Sequence, residues 1–453
     1  MIRAGVHQVG DDGAVPDIPR RGAARTAKLA SLPLGLAGRT AAGWGKRLVG
    51  QSSAQVSAEL STKTAEQLFA VLGELKGGAM KFGQALSVFE AAVPTELAEP
   101  YRQALTKLQS GAPPMPAATV HRLISEQLGT GWRSRFTSFD DTPAAAASIG
   151  QVHHAVWADG RDVAVKVQYP GADEALRSDL RQVQRFSRLF QAVAPGLDIK
   201  PLITELRDRM VEELDYRAEA DNQRAFAEAF AGDDQLLVPA VVASAPKVMV
   251  SEWVAGTALA AIIAAGSREQ RDRCGRLLSL FHFSSPARAG LLHADPHPGN
   301  FMLAPDGRLI VIDFGAVARL PDGMPVTLGT MTRLALQDRP RELLTVMRDA
   351  GFVREGTDLD ADAVLEYLSP FVDPMRSATF HFTRSWLQGQ AQRFGDTRGP
   401  ELEMARSLNL PAQYLLIHRV TMGSIAILCQ LDAELPFWDI VRRWQPGVVE
   451  HPS

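Results

Sequence analysis

The sequence predicts an α+β protein of two unequal lobes: a small, mainly antiparallel sheet, then a larger helical body, with a helical extension ahead of both. Three observations carry this. The run DVAVKVQ, residues 162–168, places Val163, Val165 and Val167 on one face at the period of two that marks a strand, and it follows the turn-forming ADGR. FMLAPDGRLIVIDFG, residues 301–315, holds two short apolar runs joined by a PDG turn, a second hairpin that ends on Asp313. The rest of the chain beyond residue 258 has mostly helical spacing.

With 453 residues the chain has room for two or three domains, since domains run to about 100–200 residues. Apolar content of 46%, charged content of 22% and a net charge of -3 are ordinary for a globular protein and give no pull toward nucleic acid. Cys274 and Cys429 are far apart and lack CxxC spacing, so neither a disulfide framework nor a structural zinc site is indicated and a reducing cytosol fits. The first residues lack the apolar core of a signal peptide, and no uninterrupted apolar run approaches the roughly 18 residues of a membrane span.

Residues 1–52 form a basic tail. Between Arg20 and Arg47 it carries Arg20, Arg21, Arg25, Lys28, Arg39, Lys46 and Arg47 with no acid, interleaved with LASLPLGLAG. Such a segment either touches anionic lipid or remains a flexible tail, because Pro33 and several glycines interrupt a helix. Residues 53–135 form the helical extension, with Leu68, Leu72 and Leu75 at helical spacing before the Gly77-Gly78 break. Residues 136–257 form the sheet lobe with inserted helices. Within it, Lys166 points away from the valine face, EELDYRAEADN lies on a helix, and PKVMVSEWVAGT is a strand that runs into a short connector. Residues 258–453 form the helical lobe.

The chemistry sits in HADPHPGN, residues 293–300, and VIDFG, residues 311–315. Asp295 and Asn300 stand five apart and Asp313 follows Asp295 by eighteen. That order matches a protein-kinase-like site, where one aspartate orients the acceptor hydroxyl, an asparagine five residues on binds metal, and the DFG aspartate bridges magnesium to phosphates. Magnesium takes hard oxygen ligands and keeps several waters, so Asn300 and Asp313 with phosphate oxygens are a sufficient set. Lys166 supplies the cation for the inner phosphates of ATP, and Glu219 the carboxylate that holds it. Taken singly, Lys166 reads as a solvated lysine on an edge strand. Glu219 shares a helix face with Asp215 at i, i+4, a repulsive pair unless a cation stands between them. A rival reading makes His293, Asp295 and His297 ligands of zinc or a two-metal hydrolase, but it leaves Lys166, Asn300 and Asp313 without a role. His293 is expected to brace the loop.

The pattern departs from ordinary protein kinases. Ahead of Lys166 there is no GxGxxG, but Ala144, Ala145, Ala146 and Ala147 followed by Ser148 and IGQVH, and no APE segment follows DFG. Alanine's β-carbon prevents the loop from closing on phosphates as glycine does. With KFGQ at Lys81 to Gln84, ELD at Glu213 to Asp215, LLHADPHPGNFML and VIDFG, the chain resembles the UbiB (AarF) family of atypical kinases from about residue 60 to 330. That resemblance implies a bilobal protein-kinase-like fold with an N-terminal helical extension. It implies regulatory roles for Lys81 and Gln84 over the active site, working with Glu213 and Asp215, and nucleotide contacts at Ala144 to Ser148 and at Glu252 and Val254 on the connector. It further implies binding of ATP with Mg2+, a place in ubiquinone or related isoprenoid-lipid biosynthesis, and a cytoplasmic location with peripheral attachment at the inner face of the membrane. Two other functions stay open: a small-molecule phosphotransferase of the aminoglycoside or choline kinase kind, and a nucleotide-regulated, non-catalytic lipid-binding protein.

Overall fold

The structure, a computed structural model, describes residues 114–147, 149–172, 174, 214–395 and 399–450. The basic tail, most of the helical extension, Lys81, Gln84, Ser148 and Glu213 lie outside the described residues.

The N-lobe opens with helix α1, Ala117–Leu128, whose buried face (Val120, Leu123, Ile124) recurs at helical spacing. Strands β1 (Phe136–Phe139), β2 (Ala145–Ala147), β3 (Gly150–Trp157) and β4 (Asp162–Gln168) follow. They join β6 (Val241–Ala245) and β7 (Val248–Glu252) in one sheet of order β1-β3-β4-β7-β6, with β2 paired to β3, while β5 (Leu236–Leu237) pairs elsewhere. The turn at ADGR forms as expected, closed by Trp157 N–H to Arg161 O at 2.8 Å, with Gly160 at φ 90°, where glycine is favoured. Val163, Val165 and Val167 are fully buried and pack with Val120, Leu123 and Ile124, so α1 belongs to the sheet's core. Each such valine contributes about 1.5–3 kcal/mol through burial. Because β4 lies between β3 and β7, Lys166 stands on a central strand rather than an edge, on the face opposite these valines.

Helix α2, Tyr216–Ala229, connects the lobes. Asp215 is its N-cap, accepting from Arg217 N–H, and its buried positions Tyr216, Glu219, Ala220, Gln223 and Phe226 lie on one stripe. Asp215 is therefore not the repulsive neighbour of Glu219 that i, i+4 spacing implies. It sits just outside the helix, and the Arg217 guanidinium, 2.7 Å away, holds its carboxyl below the usual range.

The C-lobe begins with β8 (Thr257–Ala258), α3 (Leu259–Ala265) and the 22-residue α4 (Arg268–Ala289). A Ser267/Gln270 capping box starts α4 and Gly290, at φ 65°, ends it. Next come β9 (Leu291–His293), the expected hairpin β10 (Phe301–Leu303) and β11 (Leu309–Val311), and β12 (Val317–Arg319), which pairs with β9. After DFG and β12 the chain enters helix α5, Val326–Leu336. Helices α6 (Pro340–Asp349), α7 (Ala361–Val372), α8 (Arg384–Gly395), α9 (Pro400–Ser407), α10 (Ala412–Leu431) and α11 (Phe437–Trp444) complete the lobe, with the two-stranded β13 (Phe380–His381) and β14 (Glu434–Leu435) between them. Their apolar faces and α4 build one continuous core.

Helix α10 is the most apolar of the described helices of this length, and no run within it is uninterrupted for 18 residues. Its 20 residues are long and apolar enough by length and composition to cross a bilayer, although His418 and Arg419 break the apolar run in the sequence. Its apolarity has a structural reason: residues from Gly423 to Leu431 are all buried, and Ile425 to Cys429 and Leu431 join the C-lobe core.

Candidate active site

Strand β4 projects Lys166 toward α2 and the end of β11. Lys166 Nζ donates to Glu219 Oε1 at 2.7 Å and Oε2 at 2.9 Å, and to Asp313 Oδ2 at 3.5 Å. The three residues come from positions separated by 53 and 147 residues, so only the folded chain assembles them. The Tyr216 ring lies 5.0 Å from Nζ, one helical turn from Glu219. Burial alone would lower the pKa of the Lys166 ammonium, but the charges of Asp313 and Glu219 outweigh it and hold the group above its ordinary range. Lys166 is thus a fixed cation at the mouth of the sheet lobe.

Asp313 takes a left-handed backbone, φ 64°, which non-glycine residues adopt uncommonly and which clusters at functional sites. Three contacts hold it there. His293 Nε2 donates to the Asp313 carbonyl at 2.7 Å, Gly315 N–H donates to Asp313 Oδ1 at 3.2 Å, and Asn222 Nδ2 donates to the next carbonyl, that of Phe314, at 3.1 Å. Phe314 is fully buried and its ring lies 4.9 Å from that of Phe226 on α2. His293 therefore braces the loop, as expected.

Asp295 and Asn300 lie on the turn between β9 and β10. Asn300 Nδ2 donates to the Asp295 carbonyl at 3.0 Å and to its Oδ2 at 3.2 Å, so its amide oxygen is the atom with which it can meet a cation. The Asn300 carbonyl accepts Ile312 N–H at 2.9 Å, which carries the hairpin register to the residue before Asp313 and sets both donors at the same end of the strands. Two hard oxygen donors, those of Asn300 and Asp313, beside the Lys166–Glu219 ion pair fit magnesium that completes its shell with phosphate and water oxygens. The zinc reading finds no support in this geometry. His293 is committed to Asp313, His297 Nδ1 accepts Gly299 N–H at 3.1 Å, and among the described residues no three His, Cys, Asp or Glu side chains converge.

Ala145–Ala147 form strand β2, so the alanine-rich segment is half of a hairpin against β3 rather than an open loop. Gly150 allows this hairpin to seat: a β-carbon there would lie 2.3 Å from the Val167 carbonyl oxygen and 2.8 Å from the Tyr216 hydroxyl. Glu252 ends β7, its carboxylate engaged by Ala240 N–H at 3.2 Å and approached by Arg161 at 3.6 Å, and the connector that follows is tied to the sheet by Trp253 N–H to the Asp162 carbonyl at 2.9 Å. Sequence reasoning missed Tyr216, Asn222 and Arg419, whose Nη2 donates to the Ala294 carbonyl at 2.8 Å. Tyr216, Glu219 and Asn222 recur every three residues on one helix face, a signal that was present in EELDYRAEADN.

The ABC1 atypical kinase-like domain matches residues 107–339, about half of the chain. The chain belongs to the ABC1 atypical kinase-like family. It is 30% identical over 319 residues to the zebrafish (Danio rerio) "Atypical kinase COQ8B, mitochondrial", covering 67% of this chain and 50% of that protein. It is 30% identical over 433 residues to the Caenorhabditis elegans "Atypical kinase coq-8, mitochondrial", covering 92% of this chain and 56% of that one. The chain spans about half the length of these curated relatives. Among solved structures, that of Rv3197 in complex with erythromycin from Mycobacterium tuberculosis is 52% identical, covers 88% of this chain and 100% of its own, and superposes with a TM-score of 0.69. The bilobal kinase-like fold expected from the sequence is thereby that of the ABC1 family.

Proposed function

We propose that the chain binds ATP with Mg2+ between its lobes and acts as an atypical kinase or ATPase in isoprenoid-quinone or related lipid biosynthesis. One observation carries the reading: Lys166 bridges Glu219 and Asp313, the arrangement that a kinase-like site needs to grip phosphates. In this reading Lys166 binds the inner phosphates and Glu219 positions it. Asp313 and Asn300 hold the magnesium, and Asp295, tied to Asn300, orients the acceptor. The β2–β3 hairpin, with Ala144 to Ala147 and Ser148, covers the phosphates, and the connector from Glu252 to Val254 meets the base. Magnesium ATP, when bound, supplies the transferable phosphoryl group and neutralises its developing charge. The part of this chain is to fix cations and carboxylates before the nucleotide arrives.

The lipid pathway rests on the family resemblance and on the relatives named COQ8 and coq-8. In the same reading Lys81, Gln84, Glu213 and Asp215 regulate access to the cleft, and attachment to membrane is peripheral. The alanine hairpin favours a second reading, a nucleotide-gated protein without phosphoryl transfer, because its β-carbons keep the backbone off the phosphates. Nucleotide turnover separates the two. Purified parent should hydrolyse ATP in a magnesium-dependent manner, stimulated by anionic vesicles, and Asp313→Asn should lose at least about a hundredfold of that rate. Equal turnover by Asp313→Asn would remove the magnesium assignment, and tight nucleotide binding with no turnover by the parent would favour the switch.

A further inference from the structure

The C-lobe contains a cavity whose lining includes none of Lys166, Glu219, Asp295, Asn300 and Asp313. It has a volume of about 410 Å3 and lies among α5, α6, α7, α9, α10 and α11. Ligand sites commonly occupy about 300–1,000 Å3 and are mostly apolar with a few placed polar groups. At about 30 Å3 per water-sized group, this one holds on the order of a dozen non-hydrogen atoms.

Its lining has a definite chemistry. Among the described residues that line it there is no Asp, Glu, Lys or Arg. Met324, Met331, Met347 and Met375 contribute unbranched, polarisable side chains that adapt to a ligand's shape. Phe371 and Tyr414 add aromatic faces. Polar side chains enter from several walls, of which Thr332, Asn409 and Gln445 are committed to the Leu328, Gly351 and Pro325 carbonyls. Helix α10 presents Tyr414, Ile417, His418, Thr421 and Ile425, one face at i, i+3, i+4, i+7 and i+11. His418 and Thr421 are adjacent on that face, and the Thr421 hydroxyl lies 3.4 Å from His282 Nε2. Burial lowers the pKa of His418, so its ring is neutral at pH 7 and can both donate and accept. A charged headgroup would enter this space with no countercharge.

The geometry points to a binding site for an uncharged lipophilic small molecule, an alkyl or ring body seated among the methionines with one hydroxyl or carbonyl group toward His418 and Thr421. Nothing in this assignment depends on nucleotide binding.

The full chain should be titrated calorimetrically with 1-decanol, whose eleven non-hydrogen atoms match the volume, and with decanoate at pH 8. Saturable one-to-one binding of decanol is expected, with decanoate at least about tenfold weaker. Ala405 is exposed and belongs to the lining, which sets it at the mouth, so Ala405→Trp should weaken decanol by about tenfold or more with little effect on folding. Thr421→Val preserves shape and removes the hydroxyl, so it should weaken decanol about fivefold while lowering the melting temperature of the free chain by only a few degrees, the cost of the lost contact to His282. It carries the test if Ala405→Trp does not fold. The proposal is overturned if decanol does not saturate, as when another segment of the chain or a second copy fills the space. It is equally overturned if decanoate binds as well as decanol, or if the folded variants bind like the parent.

Discussion

Replacing Lys166 with Met tests whether the cleft is an assembled charge cluster or a chance contact. The substitution keeps the length of the side chain and removes the ammonium that lies 2.7 Å from Glu219 and 3.5 Å from Asp313. The Glu219 side chain is only 5% exposed, so its carboxylate is left inside the protein without its cation. Breaking a buried pair from one side costs about 3–5 kcal/mol, because the remaining charge stays desolvated. The lower figure applies here, since the Lys166 side chain retains 15% exposure and water can enter. At about 2–4 °C per kcal/mol for a body of this size, the N-lobe transition should fall by roughly 6–12 °C. The double variant Lys166→Met/Glu219→Met should recover most of that loss, because apolar pairs of similar volume often replace buried ion pairs without penalty. The pH dependence follows from the raised pKa of Lys166: its contribution is complete below the unfolded value of about 10.5 and is lost only as pH rises through the folded value. Melting of the parent should thus be insensitive to this group between pH 6 and 9. Circular dichroism melts of the parent, both single variants and the double variant supply the measurement. An unchanged melting temperature for Lys166→Met, or losses in the single variants that simply add in the double, would refute the reasoning.

Three further outcomes are expected. His282 is buried, and that burial, reinforced by the neighbouring His293, holds its pKa down at about 4. The unfolded chain then binds the extra proton first, so stability complete above about pH 6.5 is lost progressively as pH falls toward 4, by up to roughly 3 kcal/mol; His282→Gln should flatten urea midpoints over that interval. Gly150→Ala brings a β-carbon to 2.3 Å from a fixed carbonyl, and the resulting shift of β3 against β4 should cost about 1–3 kcal/mol, whereas Gly160→Asn in the open turn should cost less than 1. His293→Leu removes the donor to the Asp313 carbonyl and should lower magnesium affinity, read by ATP turnover against magnesium concentration, more than it lowers nucleotide affinity.

Much of the fold was legible because its signals are local. The valine alternation of β4, the PDG hairpin and the DFG aspartate each sit in a few consecutive residues, and the structure puts them where the spacing implies. The pairing of Lys166 with Glu219 was legible only through order along the chain, since nothing within EELDYRAEADN separates Glu219 from Asp215 except the side on which the helix starts. That depends on the N-cap, and the cap became visible only with the backbone. Long-range side chains with no motif were not legible. Arg419 reaches the Ala294 carbonyl across 125 residues, and Asn222 reaches the Phe314 carbonyl across 92. The apolar run of α10 was masked by His418 and Arg419, two polar residues that the fold turns toward a cavity and a loop carbonyl.

The left-handed backbone of Asp313 narrows what any experimenter can do at that position. Aspartate, asparagine and glycine enter this conformation at little cost, whereas a β-branched residue would have to distort the segment that follows. Asparagine is therefore the substitution that silences the carboxylate while keeping the chain path, and the resulting protein is a natural trap for soaking nucleotide into crystals. Valine at the same place would mix lost chemistry with a misplaced Phe314, and its phenotype would say nothing about metal.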